Sequence, residues 1–172
     1  MIRRWIPPAA LGIVLAILSG LFVLHATPHF LMGVALGRLD KAGVNRFFHG
    51  PLATDRSRAI VRPSPDLAYS SCPFDLSKGP VLIDVAPTPA PYWSLSVFDR
   101  RTDVAFVRNN RDTGGASIRI ALALRGQEVP VGLETLWLDD ERGIALVRIL
   151  VESRDEFEAI DRARRASVCQ PL

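Results

Sequence analysis

The 172-residue chain reads as an α+β protein, mainly β. An N-terminal transmembrane helix and a short second helix are expected first. An antiparallel β-sandwich or curled sheet follows, with a C-terminal helix. Three observations carry that expectation. Residues 9–26 are apolar and uncharged. From residue 80 onward, short apolar runs alternate with turn-forming clusters and no long helical pattern lies between them. Near the end, a helix start signal precedes an apolar stripe at helical spacing.

The first element is AALGIVLAILSGLFVLHA, 18 residues without a charge. A rise of about 1.5 Å per residue makes it roughly 27 Å long, close to the hydrocarbon thickness of a bilayer. Pro7 and Pro8 stand where a helix start tolerates a missing N–H, and Trp5 suits the interfacial belt. The segment is long for a cleaved signal and more apolar sequence follows at once, so an uncleaved anchor is expected. Leu24-His25-Ala26 leaves the cleaved alternative open. Arg3 and Arg4 are the only charges before Arg38. The positive-inside tendency therefore assigns residues 1–8 to a cytoplasmic tip and places the rest beyond the inner membrane of a bacterial cell, in the periplasm. Arg38, Lys41 and Arg46 oppose this orientation weakly, from further away. Gly12, Ala16 and Gly20 line one helix face at i, i+4, i+8, a spacing that admits a second membrane helix and hence a helix-mediated oligomer.

Thr27-Pro28 resembles an N-cap followed by proline at the first helical position. It predicts a second helix from residue 28 to about 42, within a helical connector of residues 27–63. His25 and His29 have a metal-like spacing, but that helix break would separate them and no further ligand is near, so no metal is expected.

Residues 64–172 form the expected β-rich domain. Strands are predicted at 81–85, 92–98, 104–107, 117–124, 132–138 and 144–151. Ile118, Ile120, Leu122 and Leu124 alternate with Arg119 and small residues, a period of two. Trp93, Leu95 and Val97 share a face opposite Ser94 and Ser96. Pro87, Pro89 and Pro91 make a stiff connector, and Asn109–Gly115 is dense in turn formers. With no long helix between strands, parallel crossovers are not expected. Ser153 and Glu156 then form a capping-box pattern ahead of Phe157 and Ile160. Early acids and the late Arg162, Arg164 and Arg165 complement the dipole of that helix.

Charge excludes one function class. Of 21 basic and 18 acidic side chains, only Arg3 and Arg4 precede residue 38, leaving 19 basic and 18 acidic. That near balance, with no concentrated basic stripe, argues against nucleic-acid binding. Catalysis has little support either. Ser70 and Ser71 lack the glycine pattern of a nucleophile elbow, and the histidines (His25, His29 and His49) all lie in the N-terminal third. No catalytic residue and no cofactor are assigned. Cys72 and Cys169 are the two cysteines. In an oxidising compartment they are expected to form a disulfide that fastens the C-terminal end to the sheet entrance, with two separate thiols as the alternative.

The stretch 66–81, Tyr92-Trp93-Ser94-Leu95, residues 102–107 and Arg-Gly-Ile-Ala-Leu-Val-Arg at 142–148 resemble the bacterial domain-of-unknown-function (DUF) 1254 family, over most of residues 30–172. The resemblance implies half of a larger architecture, since longer relatives fuse this domain to a DUF 1214 domain. Longer members carry Asn-Arg-Asp-Thr-Leu-Tyr-Ser where this chain has Ser64–Ser70; Asp66, Tyr69 and Ser70 match. Asp66 and Tyr69 are therefore expected to fix the backbone entering the sheet. Two function classes follow. One is a membrane-anchored interaction module, with the lipid bilayer and a DUF 1214-type subunit as partners. The other is an envelope small-ligand binder or enzyme with a pocket near Asp66, Tyr69, Arg108 and Asn109.

Overall fold

A computed structural model describes residues 2–54, 57 and 62–172. Helix α1 runs Ile6–Leu39, between single 3-10 turns at Ile2–Arg4 and Asp40–Ala42. The strands are β1 Phe48–His49, β2 Leu67–Asp75, β3 Val81–Val85, β4 Trp93–Phe98, β5 Val104–Asn109, β6 Ile118–Leu124, β7 Thr135–Leu138, β8 Arg142–Leu150 and β9 Val168–Pro171. Helix α2, Arg154–Arg164, precedes β9.

The strands form two sheets, a five-stranded one ordered β1-β2-β8-β4-β5 and a four-stranded one ordered β7-β6-β3-β9. Period-two alternation builds the core between them. Trp93, Leu95 and Val97 on β4 and Ala145, Val147 and Ile149 on β8 meet Val81, Ile83, Ile118 and Ile120 of the smaller sheet. The fold class is the expected mainly β arrangement, with the long apolar helix before it and a helix near the C-terminus.

Four details depart from expectation. First, the break at Thr27-Pro28 does not occur: α1 is continuous with Pro28 inside it. Thr27 is not a cap, because its hydroxyl donates to the Val23 carbonyl at 2.7 Å. The proline removes one helical hydrogen bond, but Met32, Ala35 and Leu36 are buried against Ile144, Leu39 and Phe98, which holds the far side in register. The connector of residues 27–63 thus begins as the last three turns of α1. Second, β2 is a full strand, paired with β8 from Leu67 to Asp75. Pro73 is tolerated because β1 pairs with β2 only at Ser70 and Ser71, and beyond them Asn45 takes the place of a strand, its N–H needing only the Pro73 carbonyl at 2.8 Å and no N–H from the proline. Third, β9 pairs with β3, which places the C-terminus inside the smaller sheet. Fourth, β6 and β7 pair in parallel. The connection 125–134 returns the chain to the start of β6 without a helix, through left-handed turns at Gly126 (φ 93°) and Gly132 (φ 86°).

Gly143 explains part of the 142–148 signature. A Cβ there would collide with the Phe98 carbonyl and the Phe74 ring, so β4 and β8 can close over Phe74 only with glycine at that position. Helix α2 starts as expected, with the Ser153 hydroxyl accepting from Glu156 N, and covers the edge between the sheets at β2 and β9. Arg164, expected to serve the helix dipole, is buried to 1% exposure. It donates to the Tyr69 carbonyl at 2.8 Å and the Gly50 carbonyl at 2.6 Å, and pairs with Asp161. At the same edge Cys72 and Cys169 form the disulfide, bridging the two sheets with Cα atoms 6.5 Å apart.

Candidate functional site

A recess of about 490 Å³ lies between the end of α1 and the outer face of the five-stranded sheet. Ala35 and Leu39 form the helix wall, and Tyr69, Ser71, Ile144 and Leu146 form the sheet wall. The alternation that sends Cys72, Ala145 and Val147 into the core sends Tyr69, Ser71, Ile144 and Leu146 outward. Phe98 closes one end, and Ser57, Arg62 and Pro63 of the β1–β2 connection form the rim. The helix is locked above this space by Arg142, whose Nη2 donates to Asp40 at 2.7 Å while its Nε lies 3.5 Å from Asp75.

Of the four residues expected near a pocket, only Tyr69 lines this one. Its hydroxyl accepts from Ser64 N at 2.9 Å and its carbonyl accepts from Arg164, so it is wall and framework together. Asp66 is exposed and borders a separate recess of about 260 Å³ with Leu52, Glu152 and Arg154. Its carbonyl accepts from Val151 N at 2.9 Å. Arg108 and Asn109 line neither recess. Tyr69, Arg148, Ser94 and Asn109 form one row across β2, β8, β4 and β5, so three strand spacings, about 14 Å, separate the first from the last. Arg108 makes two 2.6 Å bonds to Glu134, which hold the Glu134 carboxyl below its ordinary pKa. The Asn109 side chain accepts from Arg111 N within the following turn. Gly12, Ala16 and Gly20 lie exposed along α1.

Two polar groupings were not read from the sequence. His49 Nδ1 lies 2.9 Å from Ser70 Oγ, a serine–histidine pair joined by β1–β2 pairing. Burial, then the charges of Arg164 and Arg165, push the His49 pKa below 6.5. Among the described residues no carboxylate orients the pair: Asp161, which lies near it, is engaged by Arg164 and Arg165. Ser70 is also 1% exposed and absent from the wall of either recess, so it has no access to a substrate there. A neutral histidine in the fold makes stability pH-dependent. Because the folded pKa lies below the unfolded one, His49 contributes above pH 6.5 and loses that contribution as pH falls towards its folded pKa. Urea midpoints at pH 7.5 and 5.0 are expected to differ in that direction, and His49→Gln is expected to shrink the difference.

The second grouping is Arg148 with Ser94 and Ser96. Arg148 stands opposite Tyr69 on the outer face, and its Nη2 donates to Ser96 Oγ at 3.1 Å. Its Nε and the Ser94 hydroxyl are buried without a hydrogen-bond partner. Among the described residues, no group of three or more metal-ligating side chains occurs.

A family model, described as protein of unknown function (DUF1254), matches residues 44–171. The chain belongs to the DUF1254 family. Its match begins after α1 and covers all nine strands. The DUF1254 fold recurs in the VPA0106 protein from Vibrio parahaemolyticus, with a TM-score of 0.63 and 14% identity, over 87% of this chain and 38% of that one. This chain therefore spans well under half of that relative. An uncharacterized protein from Burkholderia cenocepacia matches with a TM-score of 0.45 and 13% identity, over 64% of this chain and 32% of that one. No curated protein matches the chain. Helix α1 of this DUF1254 chain is the one described helix long and apolar enough to cross a membrane.

Proposed function

We propose that this chain is a single-pass protein of the bacterial inner membrane, with residues 1–8 in the cytoplasm and the sandwich in the periplasm. Its role is binding at the membrane surface, not catalysis. The supporting observation is the continuity of α1. Large apolar side chains from Leu11 to Leu31 are exposed, and on the next turn Met32, Ala35 and Leu36 are buried against the sheet. A bilayer around the exposed part would end where the domain begins, so the domain would be held against the lipid with no flexible tether. The Cys72–Cys169 bond suits an oxidising compartment. Gly12, Ala16 and Gly20, exposed on α1, would be the surface through which two copies pair.

The cavity beside Tyr69 favours a small ligand as the bound component. A second reading, a separate DUF 1214-type subunit, is favoured by length: most of the VPA0106 chain lies beyond the part that matches. One tagged strain tests these points. Alkaline phosphatase fused after Leu172 is expected to be active and a cytosolic reporter fused there inactive; the reverse pattern removes the envelope address. Solubilised under conditions that preserve membrane complexes, the tagged chain recovers a DUF 1214-type subunit if the second reading is right. Recovery of the tagged chain alone leaves the small ligand.

A further inference from the structure

We infer that the end of α1 carries a basic collar, Arg38, Lys41 and Arg46, that gathers anionic phospholipid headgroups of the periplasmic leaflet around the domain. This rests on the membrane-anchored reading and is independent of the cavity. The first observation is charge without a protein partner. All three side chains are exposed, and none has a carboxylate within 4.0 Å among the described residues. Asp40 and Asp75, the acids that meet at the end of α1, are both engaged by Arg142. They do not serve the collar.

The second observation is depth. Large apolar side chains are exposed on α1 from Ile6 to Leu31. Those 26 residues measure about 39 Å along the helix, more than the roughly 30 Å of hydrocarbon, and a span in excess tilts. Arg38 follows Leu31 by seven residues, about 10 Å of helix, and less than that in depth once the helix tilts. Helical side chains lean towards the N-terminus, here towards the lipid, and a long apolar stem lets the guanidinium snorkel down. A headgroup layer is about 5–8 Å deep on each side of the hydrocarbon, so Arg38 reaches it. Lys41 stands one turn higher.

The third observation is direction. Met32, Ala35, Leu36 and Leu39 turn towards the domain, so Arg38 and Lys41, three residues apart, share a side turned away from it. The negative end of the helix dipole favours cations in that last turn, but it does not account for Arg46, which lies beyond the helix. Arg46 folds back over Gly43, a left-handed residue (φ 115°) where a Cβ would collide with the Arg46 stem. Glycine at that position brings a third cation back to the end of α1. Cations this close to a leaflet attract its anionic lipids, and Arg46, the outermost, acts through the field within a Debye length of about 8 Å.

The test uses the full chain in phosphatidylcholine vesicles holding equal traces of two photoreactive lipids, a phosphatidylglycerol and a phosphatidylcholine. Each carries a diazirine near the carbonyl end of one acyl chain, so it reacts at interfacial depth, and adducts are mapped by mass spectrometry. The anionic probe is expected to label residues 28–34 about fivefold more than the zwitterionic one, the effect of one cation at an anionic surface. Molar salt is expected to lower that preference. Arg38→Gln, Lys41→Gln and Arg46→Gln together are expected to abolish it, while residues 6–10, beside Arg3 and Arg4, keep theirs. Alone, Arg38→Gln is expected to have the largest effect; a larger one from Arg46→Gln overturns the assigned depth. Equal labelling of residues 28–34 by both probes in the wild type overturns the collar and leaves the anchor standing. A preference retained in the triple variant overturns the role of these three side chains. No adduct on α1 from either probe overturns the membrane-anchored reading as well.

Discussion

Replacing Cys72 and Cys169 together by alanine is expected to lower the stability of the domain by about 4 kcal/mol. The bond closes a separation of 97 residues, and the loss of entropy that such a link imposes on the unfolded chain is of that order. The native state adds a local reason. Strand β9 is an edge strand of four residues that pairs only with β3, while Cys72 lies in the middle of β2 in the opposite sheet. Without the bond, the C-terminal strand is held by one short ladder. Urea unfolding of the detergent-solubilised chain, followed by the emission of the buried Trp93, measures the effect. Reductant should reproduce it in the wild type and add nothing in the double variant. An unchanged midpoint in the double variant would show that the bond contributes no stability.

Arg164→Met is expected to cost about 3 kcal/mol, the second large effect. The substitution keeps the apolar stem against Phe157, whose ring centre lies 5.4 Å from the guanidinium carbon. It removes the side-chain donor of the Gly50 carbonyl, leaves the Tyr69 carbonyl with the Gly50 N–H alone, and deprives Asp161 of one of its two cations. Arg164→Lys should recover only part of the loss, because one ammonium cannot serve two carbonyls and a carboxylate with a fork's geometry. Arg162 provides the contrast. Its 3.9 Å pair with Glu158 is exposed on both sides, so Arg162→Ala should change stability by less than about 0.5 kcal/mol. Equal midpoints for Arg164→Met and Arg162→Ala would remove Arg164 as the tie between α2 and the sheet.

These effects reach the proposed binding face. Tyr69 lines the cavity, and its carbonyl is the acceptor that Arg164 holds. The same strand carries Cys72, three residues on, facing the core. The disulfide and the buried arginine therefore position β2 from behind, while α1 and Arg142 position the opposite wall. A domain unfolded at this edge should lose the cavity along with its stability.

Some of this architecture follows from local pattern alone. The uncharged run ahead of Arg38 is sufficient for a span-length helix. The alternation of Ile118, Ile120 and Leu122 is sufficient for a strand with one buried face, and Ser153 with Glu156 is sufficient for the start of α2. In each case the signal lies within a few residues, because period and capping are properties of neighbouring backbone groups. With two cysteines in the chain, the pairing of Cys72 with Cys169 was likewise within reach of the sequence.

Other features depend on partners distant in the chain. Residues 67–75 hold serine, cysteine and proline, a poor local strand pattern, and become β2 because nine positions of β8 pair with them. Pro28 carries a helix-start signal that is overridden because Met32, Ala35 and Leu36 find a surface to cover more than a hundred residues later in the chain. Asp66, Tyr69, Arg108 and Asn109 are all polar and near strand ends, yet strand order brings only Tyr69 to the cavity. Arg148 looks like an ordinary surface residue in the sequence. Its buried, unpartnered Nε exists only because β4, β8 and β2 lie side by side. Local pattern sets which way each side chain points. Long-range pairing sets what it points at, and a cavity is defined by the latter.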